Sequence, residues 1–200
     1  MVRRRGWAYP VAKRAFDVVF SLLLLPLLLV VGAVLLLLNP FLNPGPIFFV
    51  QPRMGRDCRA FNTVKFRSMR RLTTPRRRAQ DPLELDRITL LGAILRKTRL
   101  DELPQILNVL RGDMSLIGPR PDCFHHARKF LRVVPGYRER HRVRPGISGL
   151  AQVTCGYAQG IDATVAKVDA DLHYIRNASF AMDMRVFLRT IVTVLTLRGC

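Results

Sequence analysis

Acidic side chains are the scarce charge in this 200-residue chain: fourteen Asp and Glu face thirty-three Lys and Arg, for a formal charge of +19. That imbalance requires an anionic partner, and nucleic acid, lipid headgroups or a phosphorylated substrate would each serve. Charge alone does not choose among them. Cysteine is also sparse. Cys58, Cys123, Cys155 and Cys200 form neither a CxxC nor a His-spaced pair, which argues against a zinc site and a dense disulfide framework and leaves reduced thiols as the expectation. Internal repeats and low-complexity tracts are missing too. What abounds is apolar residue, 49% of the chain, enough for one domain with a core, with or without an anchor.

The largest concentration of apolar residue is an uncharged run over residues 18–38, interrupted by Ser21, Pro26 and Gly32. At about 20 residues it is long enough to span a hydrocarbon core as a straight helix. It exceeds a signal-peptide h-region and is followed by no A-x-A-like site, so cleavage is not expected. Pro26 removes one backbone hydrogen bond and crowds the preceding turn, which predicts a kink. Arg3, Arg4, Arg5, Lys13 and Arg14 precede the run, and Arg53, Arg56, Arg59, Lys65 and Arg67 follow it. The asymmetry that orients a spanning helix is therefore absent. A re-entrant hairpin with both ends on one side satisfies the proline and the two basic flanks; a kinked spanning helix stays open.

Asn39-Pro40 and Asn43-Pro44-Gly45-Pro46 turn the chain, after which residues 47–51 and 61–66 read as short strands. Residues 70–82 carry five arginines and two prolines without apolar period; they read as a solvated loop, within reach of anionic lipid if a membrane is near. Apolar residues at helical spacing over 89–95, then Leu103, Ile106, Leu107 and Leu110, predict two helices or one broken at Pro104. On that reading Asp101 is the N-cap of the second, which stops before Gly112. Residues 180–197 predict a helix that either lies at a membrane surface or packs as an ordinary C-terminal helix.

Asp101-Glu102 stands out as a pair of acids beside Arg96, Lys97 and Arg99. An N-cap aspartate gains from the helix dipole, and flanking cations would lower its pKa and keep it ionised as a nucleophile. A structural cap with a neighbouring surface glutamate satisfies the same residues. In Gly118-Pro119-Arg120-Pro121 two fixed φ angles would hold Arg120 in one direction, suited to bidentate contact with a phosphate. Arg144-Pro145-Gly146-Ile147-Ser148-Gly149 repeats the idea. Either stretch would also serve as a rigid turn with an exposed arginine.

The order of these pieces resembles a known family, the bacterial sugar transferases or monotopic phosphoglycosyl transferases. The matching blocks are Lys13-Arg14-x-Phe16-Asp17, Pro26 in the apolar run, Gln51-x-Arg53-x-Gly55 and Lys65-Phe66-Arg67-Ser68-Met69. They continue with Arg99-Leu100-Asp101-Glu102-Leu103-Pro104-Gln105, Asn108-Val109-Leu110-x-Gly112-Asp113-Met114-Ser115, Gly118-Pro119-Arg120-Pro121 and Arg144-Pro145-Gly146-Ile147-x-Gly149-x-Ala151-Gln152-Val153. They span nearly the whole chain.

The resemblance implies a monotopic membrane protein of α/β class, mostly helical. Residues 1–45 would form a basic N-terminus and a re-entrant membrane helix kinked at Pro26. Residues 46–200 would form a small cytosolic catalytic domain with surface-lying amphipathic helices, on the cytoplasmic face of a bacterial inner membrane. It implies transfer of a sugar-1-phosphate from a UDP-sugar to polyprenyl (undecaprenyl) phosphate, releasing UMP, as the first membrane step of a surface-glycan or glycoconjugate pathway. Asp101 would attack the β-phosphorus and carry the sugar phosphate covalently. Glu102 would assist, by proton handling or by holding the geometry. Mg²⁺ would sit at Asp101 and offset the pyrophosphate charge.

Carried over residue by residue, Arg96 would hold phosphate, and Arg120 between Pro119 and Pro121 would contact the nucleotide. Lys65 and Arg144 are further phosphate candidates. Asp171 matches an acid near the site, or is a helix-surface charge. Membrane lipids are expected partners, and a homodimer stays open. Three departures concern the pocket and the sugar: Leu25 stands where a serine often precedes the kink proline, Gly156-Tyr157-Ala158 lacks an arginine, and a tryptophan is missing near Thr164. Two rivals remain. A nucleic-acid binder fits the pI near 11.4, but residues 18–38 count against it, so no nucleic-acid partner is expected. A non-catalytic membrane scaffold fits the anchor, but not the intact Asp101-Glu102 pair.

Overall fold

A computed structural model of the chain describes residues 8–70, 84–154 and 161–196. Most of the expected loop over 70–82 and the departure at residues 156–158 lie outside the described residues. Two helices open the chain, α1 (Ala8–Leu23) and α2 (Leu25–Leu42). The interruption falls at Leu24, two residues before Pro26, which takes a first-turn place in α2 where its missing N–H costs least. The ladder resumes at once: Leu24 N–H donates to Phe20 at 3.1 Å and Leu28 N–H to Leu24 at 3.0 Å. Together the two helices are long and apolar enough to cross a membrane by length and composition.

Their outward faces are unusually bare, with Leu29, Leu37 and Phe41 at 72%, 73% and 83% exposure. The inward faces are specific. Asp17 and Ser21 of α1 are fully buried, and Asp17 Oδ1 accepts from the Leu116 N–H at 3.0 Å. Phe16 and Phe20 pack edge-on against Phe187 of α8 (Phe180–Leu195), with centroids 5.3 and 4.9 Å apart. Such pairs add about 0.5–1.5 kcal/mol beyond their burial. Leu28 and Leu35 of α2, seven residues and two turns apart, share a cluster with Phe66, Leu91, Leu95 and Ile106.

At the end of α2 the chain is stapled by Arg67. Its guanidinium donates to the carbonyls of Asn43, Pro44 and Pro46, while the Asn43 amide returns a bond to the Arg67 carbonyl at 2.8 Å. The hairpin β1 (Phe48–Met54) and β2 (Ala60–Phe66) follows, antiparallel with Phe48 opposite Phe66 and Met54 opposite Ala60. The first strand runs three residues past the expected stretch. Thr89 caps α3 (Leu90–Lys97), its Oγ1 accepting from the Gly92 N–H at 3.0 Å. A side chain at Gly92 would meet the Ser68 carbonyl at 1.9 Å, so only glycine lets this helix lie so close to the segment after β2.

The remaining elements are α4 (Gln105–Arg111), β3 (Ser115–Ile117), α5 (Phe124–Val133), β4 (Gly146–Ser148), α6 (Leu150–Thr154) and α7 (Ile161–Asn177). β3 and β4 pair in parallel, Ser115 with Gly146 and Ile117 with Ser148. The described fold is mostly helical with two two-stranded sheets. It is compatible with a monotopic membrane protein. α8 buries Val186 and leaves Leu188, Val192, Arg185 and Arg189 outward, an exposed face of mixed apolar and basic character.

Candidate active site

The acid pair does not sit where helix-capping logic predicts. Arg99 adopts a left-handed conformation (φ 59°) and turns the chain into a short 3-10 turn, Leu100–Glu102, before α4 begins. Pro104, not Asp101, occupies the N-cap place of α4, and with helical φ/ψ. The other end of α4 follows expectation: Gly112 closes it at φ 90°. Cations gather on those terminal carbonyls, as the dipole favours. Arg14 of α1 donates to Val109 at 2.7 Å and Leu110 at 3.0 Å, and Arg144 Nε donates to Gly112 at 2.9 Å. Arg144, a phosphate candidate from sequence, thus stands at the far end of α4 from Asp101.

Three of the expected residues do converge. Glu102 is buried, and its carboxylate takes Lys65 Nζ from β2 at 2.6 Å. Arg120 grips it with both terminal nitrogens, Nη1 to Oε2 at 2.9 Å and Nη2 to Oε1, while Nη1 also donates to the Ile147 carbonyl at 3.2 Å. Burial by itself would raise the Glu102 pKa. The charges and hydrogen bonds of Arg120 and Lys65 outweigh it and hold the carboxyl well below the usual range. Glu102 is therefore a fixed anion, suited to holding geometry and unsuited to proton handling. Burial and neighbouring Arg120 and Arg53 bring the Lys65 ammonium down to about 8 against the pull of Glu102.

Asp101 is the opposite case. Among the described residues its carboxylate makes no hydrogen bond or ion pair. Burial first, and the Glu102 charge second, raise its pKa; Lys65, Arg120 and Arg96 pull the other way and do not prevail. This corrects the expectation that flanking cations would leave it below its ordinary value. Two adjacent carboxyls with pKa values pushed apart form a division of labour: one permanently ionised, one able to gain and lose charge. Arg96, on the last turn of α3, acts electrostatically on Asp101, and its Nη1 lies 3.6 Å from Met69 Sδ.

Arg120 owes its aim to the turn that carries it. Pro119 and Pro121 are buried, and their carbonyls accept from the Gly146 N–H at 3.0 Å and from Arg53 Nη1 at 2.5 Å. Asp171 is neither at Asp101 nor on a helix surface. It lies fully buried in α7, bound by Arg140 Nε at 2.8 Å. Arg140, Asp122 and Lys167 escaped the sequence reading, and Arg53 entered it only as a basic flank and a motif residue without a role. The available signal was the scarcity of acids, since Asp122 directly follows the Pro-Arg-Pro stretch. A cleft of about 370 Å³ lies between the end of α2 and the start of α3, lined by Phe41, Pro44, Arg67, Arg70, Thr89 and Leu90. Neither Asp101 nor Glu102 lines it, and Arg67 is engaged by the carbonyls of Asn43, Pro44 and Pro46 just after α2, so the acid pair lies elsewhere.

These features make an apolar helix pair, long enough to cross a membrane, locked to a small helical domain that carries an unshared carboxylate among three cations. The comparison with known proteins names the class more narrowly. The bacterial sugar transferase family matches residues 8–197, and the chain belongs to that family. It is 44% identical over 192 residues to the UDP-N-acetylgalactosamine-undecaprenyl-phosphate N-acetylgalactosaminephosphotransferase of Aeromonas hydrophila, covering 94% of this chain and 44% of that protein. It is 44% identical over 199 residues to the exopolysaccharide production protein PSS of Rhizobium leguminosarum bv. phaseoli, covering 93% and 96%. Against the UDP-glucose:undecaprenyl-phosphate glucose-1-phosphate transferase of Escherichia coli (strain K12) the identity is 38% over 181 residues, covering 90% and 39%. The chain thus spans under half the length of two of these relatives and nearly all of the third.

Proposed function

We propose that this chain transfers a sugar-1-phosphate from a UDP-sugar to polyprenyl phosphate, with Asp101 as the nucleophile. The observation that carries the reading is the contrast within the acid pair: Glu102 is engaged by Lys65 and Arg120, whereas Asp101 is half-buried, unshared and flanked by cations. The names of the relatives support the donor and acceptor classes. In the first step an Asp101 oxygen bonds to the β-phosphorus, and the bond to the bridging oxygen breaks. UMP leaves with that oxygen and its electron pair. In the second, an oxygen of polyprenyl phosphate bonds to the same phosphorus and releases the Asp101 carboxylate. Lys65, Arg96 and Arg120 offset charge as anion approaches anion, an effect that grows where water is excluded.

The donor set suits a magnesium ion. Mg²⁺ takes one or two carboxylates and completes its shell with substrate phosphates and water, and Asp101 offers the one carboxylate left unshared in the pair. Among the described residues no group of three His, Cys, Asp or Glu side chains gathers elsewhere. When bound, the ion would neutralise pyrophosphate charge; the chain's own part is to hold Asp101 in place beside a fixed Glu102.

The reading places residues 1–45 in the bacterial inner membrane as a re-entrant hairpin bent near Pro26, and residues 46–200 on its cytoplasmic face as the catalytic domain. What supports the bend is charge: basic residues flank both ends of the apolar run over 18–38, so neither end is marked for the far side of the membrane. Single cysteines at residues 8 and 56, in a background with the native cysteines replaced, should label from the same side; labelling from opposite sides would reject the hairpin. The reaction is tested with detergent-purified protein, undecaprenyl phosphate, Mg²⁺ and a panel of UDP-sugars, following UMP release beside Asp101→Asn. Release with one donor that vanishes in the variant supports the reading, and undiminished release in the variant rejects it.

A further inference from the structure

The turn that aims Arg120 has an unusual supply problem. Two of its residues are prolines and donate no backbone N–H, so it can be held chiefly through its carbonyls. All four carbonyls of residues 119–122 are engaged, by three separate parts of the chain. Pro119 accepts from Gly146 N–H at 3.0 Å and Asp122 from Met54 N–H at 3.1 Å. The two between them accept from side chains: Pro121 from Arg53 Nη1 at 2.5 Å, and Arg120 itself from Arg140 Nη2 at 2.8 Å.

Arg140 is 1% exposed. It sits on the 3-10 turn Glu139–Arg142 and is over-determined. Its Nε and Nη2 bind Asp171 Oδ2 at 2.8 and 2.7 Å, and its Nη1 binds Asp122 Oδ2 at 2.5 Å. Its guanidinium carbon lies 5.2 Å from the Tyr137 ring centroid. Asp122 is fixed in turn by Tyr137 Oη at 2.8 Å and Lys167 Nζ at 2.5 Å. A planar fork held on several edges has one orientation left, and that orientation presents Nη2 to the carbonyl of the residue whose side chain clamps Glu102.

We propose that Arg140, oriented by Asp171 and Asp122, is a positioning residue for the transfer reaction: it fixes the main chain of Arg120 so that the Arg120 guanidinium stays on Glu102 and Asp101 is kept in register with the substrate phosphorus. The proposal rests on the reading of Asp101 and Glu102 given above. It assigns Asp171 a place in the reaction without contact to substrate, two links behind the clamp.

The test is a double-mutant cycle on the full-length protein in detergent, measuring kcat and the KM for the UDP-sugar. Arg140→Gln is expected to lower kcat about 10²-fold, the scale of a misplacement of about 1 Å, with the KM little changed. In an Arg120→Lys background the same substitution should lower kcat by less than about threefold, because the clamp it serves is already loosened. Equal losses in both backgrounds would show that Arg140 acts independently of Arg120 and overturn the proposal. If Arg140→Gln does not accumulate as folded protein, Arg140→Lys, which keeps the charge but only one donor nitrogen in place of the planar fork, carries the same cycle. An inactive Asp101→Asn with additive losses in the cycle rejects positioning alone; a fully active Asp101→Asn rejects the acid-pair reading and the proposal with it.

Discussion

Two ionic clusters flank the same Pro-Arg-Pro turn, and they are built on different terms. Behind the turn, Asp122 and Asp171 meet Arg140 and Lys167, two carboxylates against two cations, closed further by the Tyr137 hydroxyl. In front of it, Glu102 meets Lys65 and Arg120, and Asp101 is left over. The rear cluster is balanced, and its Arg140–Asp171 pair is sealed, each 1% exposed, while Asp122 and Lys167 form its partly exposed edge. The front cluster has a carboxylate that makes no hydrogen bond or ion pair among the described residues and is raised in pKa by burial and by Glu102. Buried ion pairs are weak sources of net stability but costly to break from one side. The rear pairs therefore serve as a fixed frame, and the front is where the chain tolerates imbalance.

Substitutions separate the two. Asp101→Asn should have the largest effect on turnover, a loss of at least about 10³-fold in UMP release, as for removal of a nucleophile. Its melting temperature should not fall, since the variant removes a half-buried carboxylate that no described residue pairs with; a silent turnover phenotype would make the front cluster merely structural. Asp171→Ala should do the reverse in kind, costing about 3–5 kcal/mol of stability by leaving a buried guanidinium short of a partner, read by denaturant unfolding. Glu102→Gln should cost about 2–4 kcal/mol in transition-state stabilisation, measured as kcat/KM, by releasing Lys65 and Arg120 together.

The pH profile of kcat/KM sharpens the comparison further, since it reports groups of the free enzyme. Asp101 must be deprotonated to attack, and its raised pKa moves the acid limb upward from the ordinary aspartate value. Lys65 must be protonated to hold Glu102, and its lowered pKa, about 8, brings the alkaline limb down from 10.5. The result is a bell, and Lys65→Arg should extend its alkaline side; a profile flat from pH 7 to 10 in the unsubstituted protein would contradict this. The smallest effect is expected outside both clusters. Arg56→Ala breaks an exposed pair with Asp57, both side chains over half exposed, and should change stability by no more than about 1 kcal/mol.

Much of the frame was legible because it is written locally. Thr89 before an apolar run, Gly112 after one, and the short apolar stretch after Gly45 each mark a boundary within a few residues of where it falls. Asp101 was legible as chemistry but not as geometry. The left-handed Arg99 inserts a 3-10 turn that no capping rule anticipates, and that turn changes the acid from a cap into an unshared carboxylate. The rear cluster was invisible for a different reason. Arg140 reaches Asp171 across 31 residues and Asp122 across 18, distances over which side-chain spacing carries no periodic signal. The hint lay in composition: in a chain with only fourteen acids, Asp17, Glu102, Asp171 and Asp183 are all buried, so each acid was worth asking what it holds.

Arg14 and Asp17 give the apolar helix a role besides attachment. Through the Val109 and Leu110 carbonyls and the Leu116 N–H they tie α1 to both ends of the α4–β3 connection, and α4 starts at Gln105, shortly after Asp101. Any tilt or vertical shift of the anchor is then passed to the acid pair through a lever of short arm. On the proposed reading the chain would carry its own depth gauge: protein hydrogen bonds would set the height at which Asp101 meets a lipid-borne phosphate, and a bilayer of the wrong thickness would have to deform around the helix before it could misplace that carboxylate.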